Sequence, residues 1–482
     1  MTDSTSLDPL YLCLDQGGHA SRALVFDCRG RLVQQARRPL LPEQPAVDRV
    51  EYSALALLDS LRESVVEVIA GLGERSHLLV AAGLATQRSN IVCWDKQTGD
   101  PLSPILSWQD RRHAQWLEQF SAQATQIHQL TGLALSPHYG ASKLRWCLDN
   151  LPAVQQARDT GRLLFGPMAA WLIQQLTGSE ARADPVNASR TQLWSLKDRD
   201  WNDQLLALFG IPRELLPACS PSLVNFGTLA DAPNLPLQMV TGDQSAALYA
   251  YGPLRTDTAY INLGTGAFVS RPAGNGPPFD SQLLSSVVLQ TAERTEHVLE
   301  GTVNGAGAAL DWLARQHGLE QLAPKQIEGW LGQDYSHLPL FLNGVSGLAA
   351  PYWRADFESR FIGQGELAQQ AVAVLESILF LLQTNLTRMK ARLGTLERIQ
   401  ITGGLAHLDD LCQRLADLAG IPVYRPAECE ATARGSAYLL AGQPDDWPEP
   451  GPTDQFEPRA HPDLSQRYDH WQRAMREALG QS

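Results

Sequence analysis

The same short unit occurs twice in the chain, as "LDQGGHASRALVFD" at 14–27 and "TAYINLGTGAFVS" at 258–270. Each is an apolar strand, a glycine-rich turn and a second apolar strand. In the first, the strand ends at Asp15 and the turn runs through Gln16, Gly17, Gly18 and His19. In both copies a strand follows the glycines, whereas the dinucleotide fingerprint requires a helix there. A turn of this kind can instead aim backbone N–H groups at a phosphate. One Gly-x-Gly turn often marks only a turn. Two copies imply two similar halves, and two such lobes facing each other would form a nucleotide cleft.

A chain of 482 residues is long enough for that arrangement. We place the boundaries at 1–250, 251–445 and 446–482. The first half continues with a strand at 78–87, "LLVAAGLATQ", and a mostly helical stretch from about 110 to 225. The second half holds a long apolar-striped helix at 373–394 ending at Gly394, then "RIQITGG" at 398–404, a strand running into paired glycines. The Pro-rich segment at 442–462 breaks both periodicities and reads as a surface tail, closed by a short amphipathic helix. With 44% hydrophobic and 19% charged residues, the chain reads as globular. A formal net charge of −13 argues against nucleic acid or an anionic membrane as main partner. The polar start "MTDSTSLDPL" lacks a leader pattern, and no uninterrupted apolar run is long enough to suggest membrane insertion, so a cytoplasmic protein is expected. Seven scattered cysteines without a CxxC pair read as reduced thiols.

Three further stretches carry chemistry. "VTGDQSAALYAYG" at 240–252 sets Asp243 between a strand and a small-residue helix. An aspartate there serves as a helix N-cap or as a general base that takes a proton from a substrate hydroxyl. "ATQRSNIVCWD" and "SWQDRR" place Gln87, Arg88, Trp108, Gln109 and Asp110 at strand ends or turns, a mixture that pairs internally or grips a hydroxyl-rich ligand around an aromatic face. In 401–442, Gly403 and Gly404 can admit a base and ribose against backbone, and Ala431, Ala433, Gly435 and Ala437 give a helix with a small-residue face. Close helix packing explains the same pattern equally well.

Taken in order, these segments, with "VNASRTQLW", "GIPRELLP", "GLAAPYW" and "TARGSAYLLAG", resemble the FGGY family of carbohydrate kinases, and within it the glycerol kinases. The resemblance spans about residues 11–441 and implies an α/β fold of two actin-like (ribonuclease H-like) lobes, with mixed β-sheets flanked by helices and an inter-lobe cleft. ATP, Mg2+ and a small polyol or sugar would meet in that cleft, and homo-oligomerisation is left open. The resemblance implies Asp243 as catalytic base and Asp15 with Asp243 as the carboxylates nearest the metal. It implies nucleotide contacts from Gly17, Gly18, His19, Ser21, Arg22, Gly264, Thr265, Gly266, Gly307, Asp311, Gly403 and Gly404. For the acceptor it implies Gln87, Arg88, Ser89, Trp108, His138, Asp243, Gln244 and Phe268. The chain departs from the glycerol kinase pattern at several of these positions. Ser89 stands for a usual glutamate, His138 for a tyrosine, and Gly18 and His19 for two threonines; Thr402 replaces an aspartate, and Leu408 and Asp409 replace asparagines. The expected activity is an ATP-dependent carbohydrate or polyol kinase with an altered acceptor pocket; the alternative is a non-catalytic sugar or nucleotide sensor on the same fold.

Overall fold

The computed structural model describes residues 8–480 except 275, 334 and 336, so most of the polar N-terminal stretch lies outside the described residues. The first lobe is built on a five-stranded sheet of β1 (Leu10–Gln16), β2 (Ala20–Asp27), β3 (Leu32–Pro39), β4 (Leu79–Thr86) and β5 (Leu237–Gly242), in the order β5-β4-β1-β2-β3. The meander β1–β3 is antiparallel, while β4 and β5 add in parallel. All seven residues of β1 are buried, as expected for a strand covered on both faces.

One face is covered by α1 (Ala54–Leu72), which Ser53 caps by accepting from the Ala56 N–H at 3.4 Å. Its Leu57, Leu61, Val65, Val68 and Leu72 fall on one stripe and pack against the sheet. Between β4 and β5 the expected helical stretch appears as several short helices, including α2 (Gly140–Asn150). The strand Leu163–Pro167 interrupts them and joins Ile91–Asp95 in a smaller sheet. That sheet carries the loops around residues 87–90 and 107–110.

The second lobe repeats the pattern. Its seven-stranded sheet contains β6 (Thr258–Leu263), β7 (Ala267–Pro272), β8 (Leu284–Gln290), β9 (Thr295–Val303), β10 (Arg398–Thr402), β11 (Val423–Arg425) and β12 (Asp454–Phe456), ordered β8-β9-β7-β6-β10-β11-β12. Again the meander is antiparallel and the next strands, β10 and β11, are parallel. The core helix α5 (Leu367–Leu393) opens on a Glu366–Gln369 capping box and ends at Gly394, φ +82°. It is long and apolar enough to cross a membrane, but 67% of its most apolar window is buried inside the lobe.

The two lobes are joined by α3 (Asp243–Leu248) and α6 (Ala431–Leu440). A Cβ on Gly435 would lie 1.8 Å from the Ala246 carbonyl oxygen, so the small-residue face of α6 is a packing face. Although α6 is late in the chain, its Ala433, Ala437 and Tyr438 pack on Tyr11, Cys13 and Phe26 of the first lobe. At the C-terminus the Pro-rich segment 442–462 is largely exposed, as expected, but it is not detached from the lobe, and the short amphipathic helix expected to close the chain packs into the core. Strand β12 extends the second sheet, and α7 (Pro462–Ala478) buries Leu464, Trp471 and Met475 in that lobe's core. Prolines break periodicity but do not prevent packing, and the apolar stripe of α7 is what the second core needs.

Candidate active site

The structure forms both glycine-rich hairpin turns that the sequence analysis expects to meet the phosphates. In the first, Gly17 N–H donates to the Ala20 carbonyl at 3.1 Å, the Tyr52 hydroxyl donates to the Gly18 carbonyl at 3.0 Å, and Gln87 N–H donates to the Gln16 carbonyl at 3.1 Å. Gly17, Gly18, His19 and Arg22 line a cavity of about 550 Å3. A Cβ on Gly18 would sit 2.8 Å from Gln87 Nε2, so this glycine lets the acceptor-side loop close onto the phosphate loop.

Ser21 does not share that cavity. It is fully buried and donates to Gln16 Oε1 at 2.6 Å, with Ser60 Oγ of α1 also at 2.6 Å. Strand alternation sends Ser21 and Arg22 to opposite faces, so the burial of Ser21 argues against the nucleotide contact expected of it, whereas Arg22 lines the cavity beside Gly17 and Gly18.

The second loop is braced by α4 (Gly307–Gln316). Gly307 N–H donates to the Gly264 carbonyl at 3.0 Å, and the Ala306 and Ala308 N–H groups donate to Thr265 at 3.1 and 3.0 Å. A Cβ on Gly307 would meet the Gly264 oxygen at 3.0 Å, which accounts for the glycine. Asp311 is exposed one turn further along the same helical face. Gly403, at φ +97° just beyond β10, has no room for a side chain: a Cβ would lie 2.6 Å from the Leu263 carbonyl oxygen. Thr402 and Gly403 border an inter-lobe cavity of about 1280 Å3 that reaches Arg425, Glu430 and Gly30. Gly404 is exposed beside it.

Between the loops lie the carboxylates. Asp15, 1% exposed, faces Arg22 Nη2 at 2.6 Å, and Arg22 Nη1 reaches Glu430 at 2.6 Å. Burial pushes the Asp15 carboxyl up to about 7; Arg22 opposes the shift, whereas Asp243 and Glu430 add to it. Asp243 is the first residue of α3, with Oδ1 accepting from the Gln244 N–H at 2.7 Å; Gly242 holds the cap position. Desolvation raises its pKa as well, and Arg88, Arg190 and Arg22 pull it down without cancelling the shift. Both carboxyls are therefore more basic than an ordinary aspartate, as a proton acceptor requires.

The residues expected to meet the acceptor fall into two groups. Arg88, Gln244 and Phe268 border one small cavity together with Glu300. The rings of Trp108 and His138 meet in a tilted contact with centroids 5.2 Å apart. Burial, then Lys143 and Arg190, hold the His138 imidazole well below its usual pKa, hence neutral. Ser89 is 5% exposed, has φ +65°, and its Oγ has no hydrogen-bond partner among the described residues.

Four residues of this site escaped the sequence reading. Glu300, on β9 of the second lobe, pairs with Arg88 at 3.1 Å, with Arg190 at closer range, and with Ser286 at 2.9 Å. It thereby ties the lobes together across the acceptor cavity. Lys143 and Glu430 complete the set. Arg190 lies within "VNASRTQLW", so its neighbourhood was visible in the sequence although its role was not.

A two-lobed fold in which each lobe repeats a mixed sheet with a glycine-rich hairpin, with buried carboxylates in the cleft, defines a protein of the actin-like class. Family models agree. Residues 10–246 match the N-terminal domain and 259–442 the C-terminal domain of the FGGY family of carbohydrate kinases. The chain belongs to that family. It is 35% identical over 450 residues to a glycerol kinase of Leptothrix cholodnii, with 89% of each chain covered. It is 33% identical over 492 residues to one of Geobacter sp., covering 97% of this chain and 98% of that one. In structure it resembles a Plasmodium falciparum glycerol kinase solved with ADP, TM-score 0.89 at 22% identity with 98% of each chain covered. A xylulose kinase from Brucella ovis gives TM-score 0.86 at 23% identity, covering 98% and 99%. The protein is a carbohydrate kinase.

Proposed function

We propose that this kinase transfers the γ-phosphoryl group of ATP to a hydroxyl of a polyol or sugar other than glycerol, with Asp243 as general base. The acceptor oxygen attacks phosphorus in line, the bond to the β–γ bridging oxygen breaks, and ADP leaves with that electron pair while Asp243 takes the hydroxyl proton. Support for the base is the raised pKa of a carboxyl at the junction of β5 and α3. Arg22 and the N–H groups of the two loops are the donors available to the phosphates.

Among the described residues no three His, Cys, Asp or Glu side chains form a ready-made metal cage. Magnesium does not need one, since it is commonly held by one or two carboxylates together with phosphate oxygens and water. Asp15 and Asp243, both raised by burial and with Asp243 adding to the shift of Asp15, suit that role. Bound there, the ion would neutralise phosphate charge.

The observation that carries the acceptor assignment is Ser89, buried beside Arg88 with its Oγ unpaired. A glutamate could bind acceptor hydroxyls through charge-assisted hydrogen bonds, each worth about 1.5–3 kcal/mol. A short neutral serine forfeits such a bond, lowering kcat/KM for glycerol roughly 10- to 150-fold, and leaves space for a longer molecule. A panel of glycerol, C4–C6 polyols and ketoses, read as ADP release with Mg-ATP above the acceptor-free background, is expected to rank a longer acceptor above glycerol. Glycerol outperforming every other member would overturn the assignment.

A further inference from the structure

Among the buried cations that the phosphoryl chemistry leaves unused, Lys143 lies beneath the loops that carry Arg88, Trp108 and His138. Lys143 stands in the first turn of α2 and is 1% exposed. Its ammonium meets three backbone carbonyls: Ser107 at 2.7 Å, His138 at 2.9 Å and Ser89 at 3.3 Å. An ammonium has three donors, and all three are spent. Asp110, the acidic group acting on this charge, gives its oxygens to Arg112 and to the Val50 N–H.

The three carbonyls come from three separate loops, and each loop delivers an acceptor-pocket residue. Ser89 follows Arg88, Ser107 precedes Trp108, and His138 contributes its own ring. The first loop is strained, because Ser89 adopts φ +65°, a conformation a non-glycine residue holds only when its surroundings enforce it. Asn90 adds a second tie, accepting from the Trp108 N–H at 2.7 Å and donating to Gln87 Oε1 at 3.1 Å. Burial pushes the Lys143 ammonium down to about 7 against the attraction of Asp110, in keeping with a dry anchor.

We propose that Lys143 is the positioning residue of the acceptor pocket, fixing the spacing of Arg88–Ser89, Trp108 and His138 and so setting acceptor affinity and selectivity without contributing to nucleotide binding. The inference rests on the reading of Arg88, Trp108 and His138 as acceptor-binding residues. No carbonyl held by Lys143 belongs to a phosphate loop, so its loss should be felt on one substrate only.

Lys143→Met fills the same channel and cannot donate. With the best acceptor from glycerol, erythritol, xylitol, D-xylulose and D-gluconate, the full-length variant is expected to show an acceptor KM raised at least tenfold. KM for Mg-ATP should stay within twofold, and the ranking of the panel should flatten. Lys143→Arg, which keeps charge and donors, is expected to recover part of the loss; it is also measured alone if the methionine variant does not fold, with an acceptor KM above wild type and an unchanged KM for Mg-ATP again expected. An unchanged acceptor KM, or equal rises in both KM values, in the folded variant overturns the proposal. Trp108→Ala separates the two readings. If it leaves acceptor KM unchanged, the pocket assignment itself fails; if it raises acceptor KM while Lys143→Met does not, only the role of Lys143 fails.

Discussion

Glu300 shows how much one side chain can hold. It is 6% exposed, and burial by itself would raise its pKa; Arg190 and Arg88 overcome that penalty and hold it at about 2. Replacing it by glutamine leaves two guanidinium groups buried with no anion between them. Removing one partner of a buried pair costs about 3–5 kcal/mol. Because the folded-state pKa lies below the ordinary carboxylate value of 4.5, the stabilisation is complete above that value and is lost as pH falls toward 2. Denaturant titrations of wild type and Glu300→Gln should therefore differ by about 3 kcal/mol at neutral pH, and the gap should narrow as the pH drops below the ordinary carboxylate value. A gap independent of pH would show that packing, not charge, holds the lobes. Asp243 makes the complementary case, in which charge serves chemistry. Asp243→Asn keeps size and hydrogen-bonding reach but cannot take a proton, so kcat should fall about 10²–10⁴-fold with little change in acceptor binding. A variant retaining a third or more of wild-type kcat, with chemistry rate-limiting, would remove Asp243 as base.

The hairpins show what a sequence discloses at the scale of an element. Strand period and glycine placement are local, so both glycine-rich hairpins and the paired glycines at 403–404 were legible, as was the long helix ending at Gly394. The contacts of Glu300 with Arg88 and Arg190 join residues far apart in sequence and on different lobes, and nothing local marks them. The side-chain burial of Ser21 follows from alternation along β2 once its register against Gln16 is known. Gly18 illustrates a finer gap, between seeing a loop and knowing what each residue faces. Its Cβ direction points at Gln87 in the loop at 87–90. Gly18→Val should consequently raise acceptor KM as well as weaken Mg-ATP, whereas exposed His19 contributes only locally and His19→Ala should weaken Mg-ATP less than tenfold. Calorimetric titration of Mg-ATP together with acceptor kinetics on both variants checks the pair; a Gly18→Val effect confined to nucleotide would mean that Gln87 swings aside freely.

At the scale of the whole molecule, the C-terminal segment ties the architecture together. Trp447 packs against Gly30 of the β2–β3 turn and donates to the Ala250 carbonyl at 3.2 Å. Arg434 of α6, 2% exposed, donates to Gly30, Ala250 and Pro448 and stacks on Trp447 at 4.9 Å. Beyond this knot, α7 places Trp471 at 0%, Leu464 at 1% and Met475 at 1% exposure in the second lobe's core. Arg467 of α7 pairs with Glu376 of α5 at 2.5 Å, and Arg414 meets the same buried carboxylate at 3.0 Å. Ending the chain at residue 445 would strip these groups away together. Four large side chains, Trp447, Leu464, Trp471 and Met475, each contributing about 1.5–3 kcal/mol by burial, are lost, and Glu376 keeps only one of its two arginines. The sum is comparable with the whole stability of an ordinary domain, about 5–15 kcal/mol. The truncated chain is therefore expected to lose the second lobe's cooperative unfolding transition, with limited proteolysis cutting within 259–442. A truncated protein that melts within a few degrees of the full chain and still turns over Mg-ATP would return the segment to the status of a surface tail.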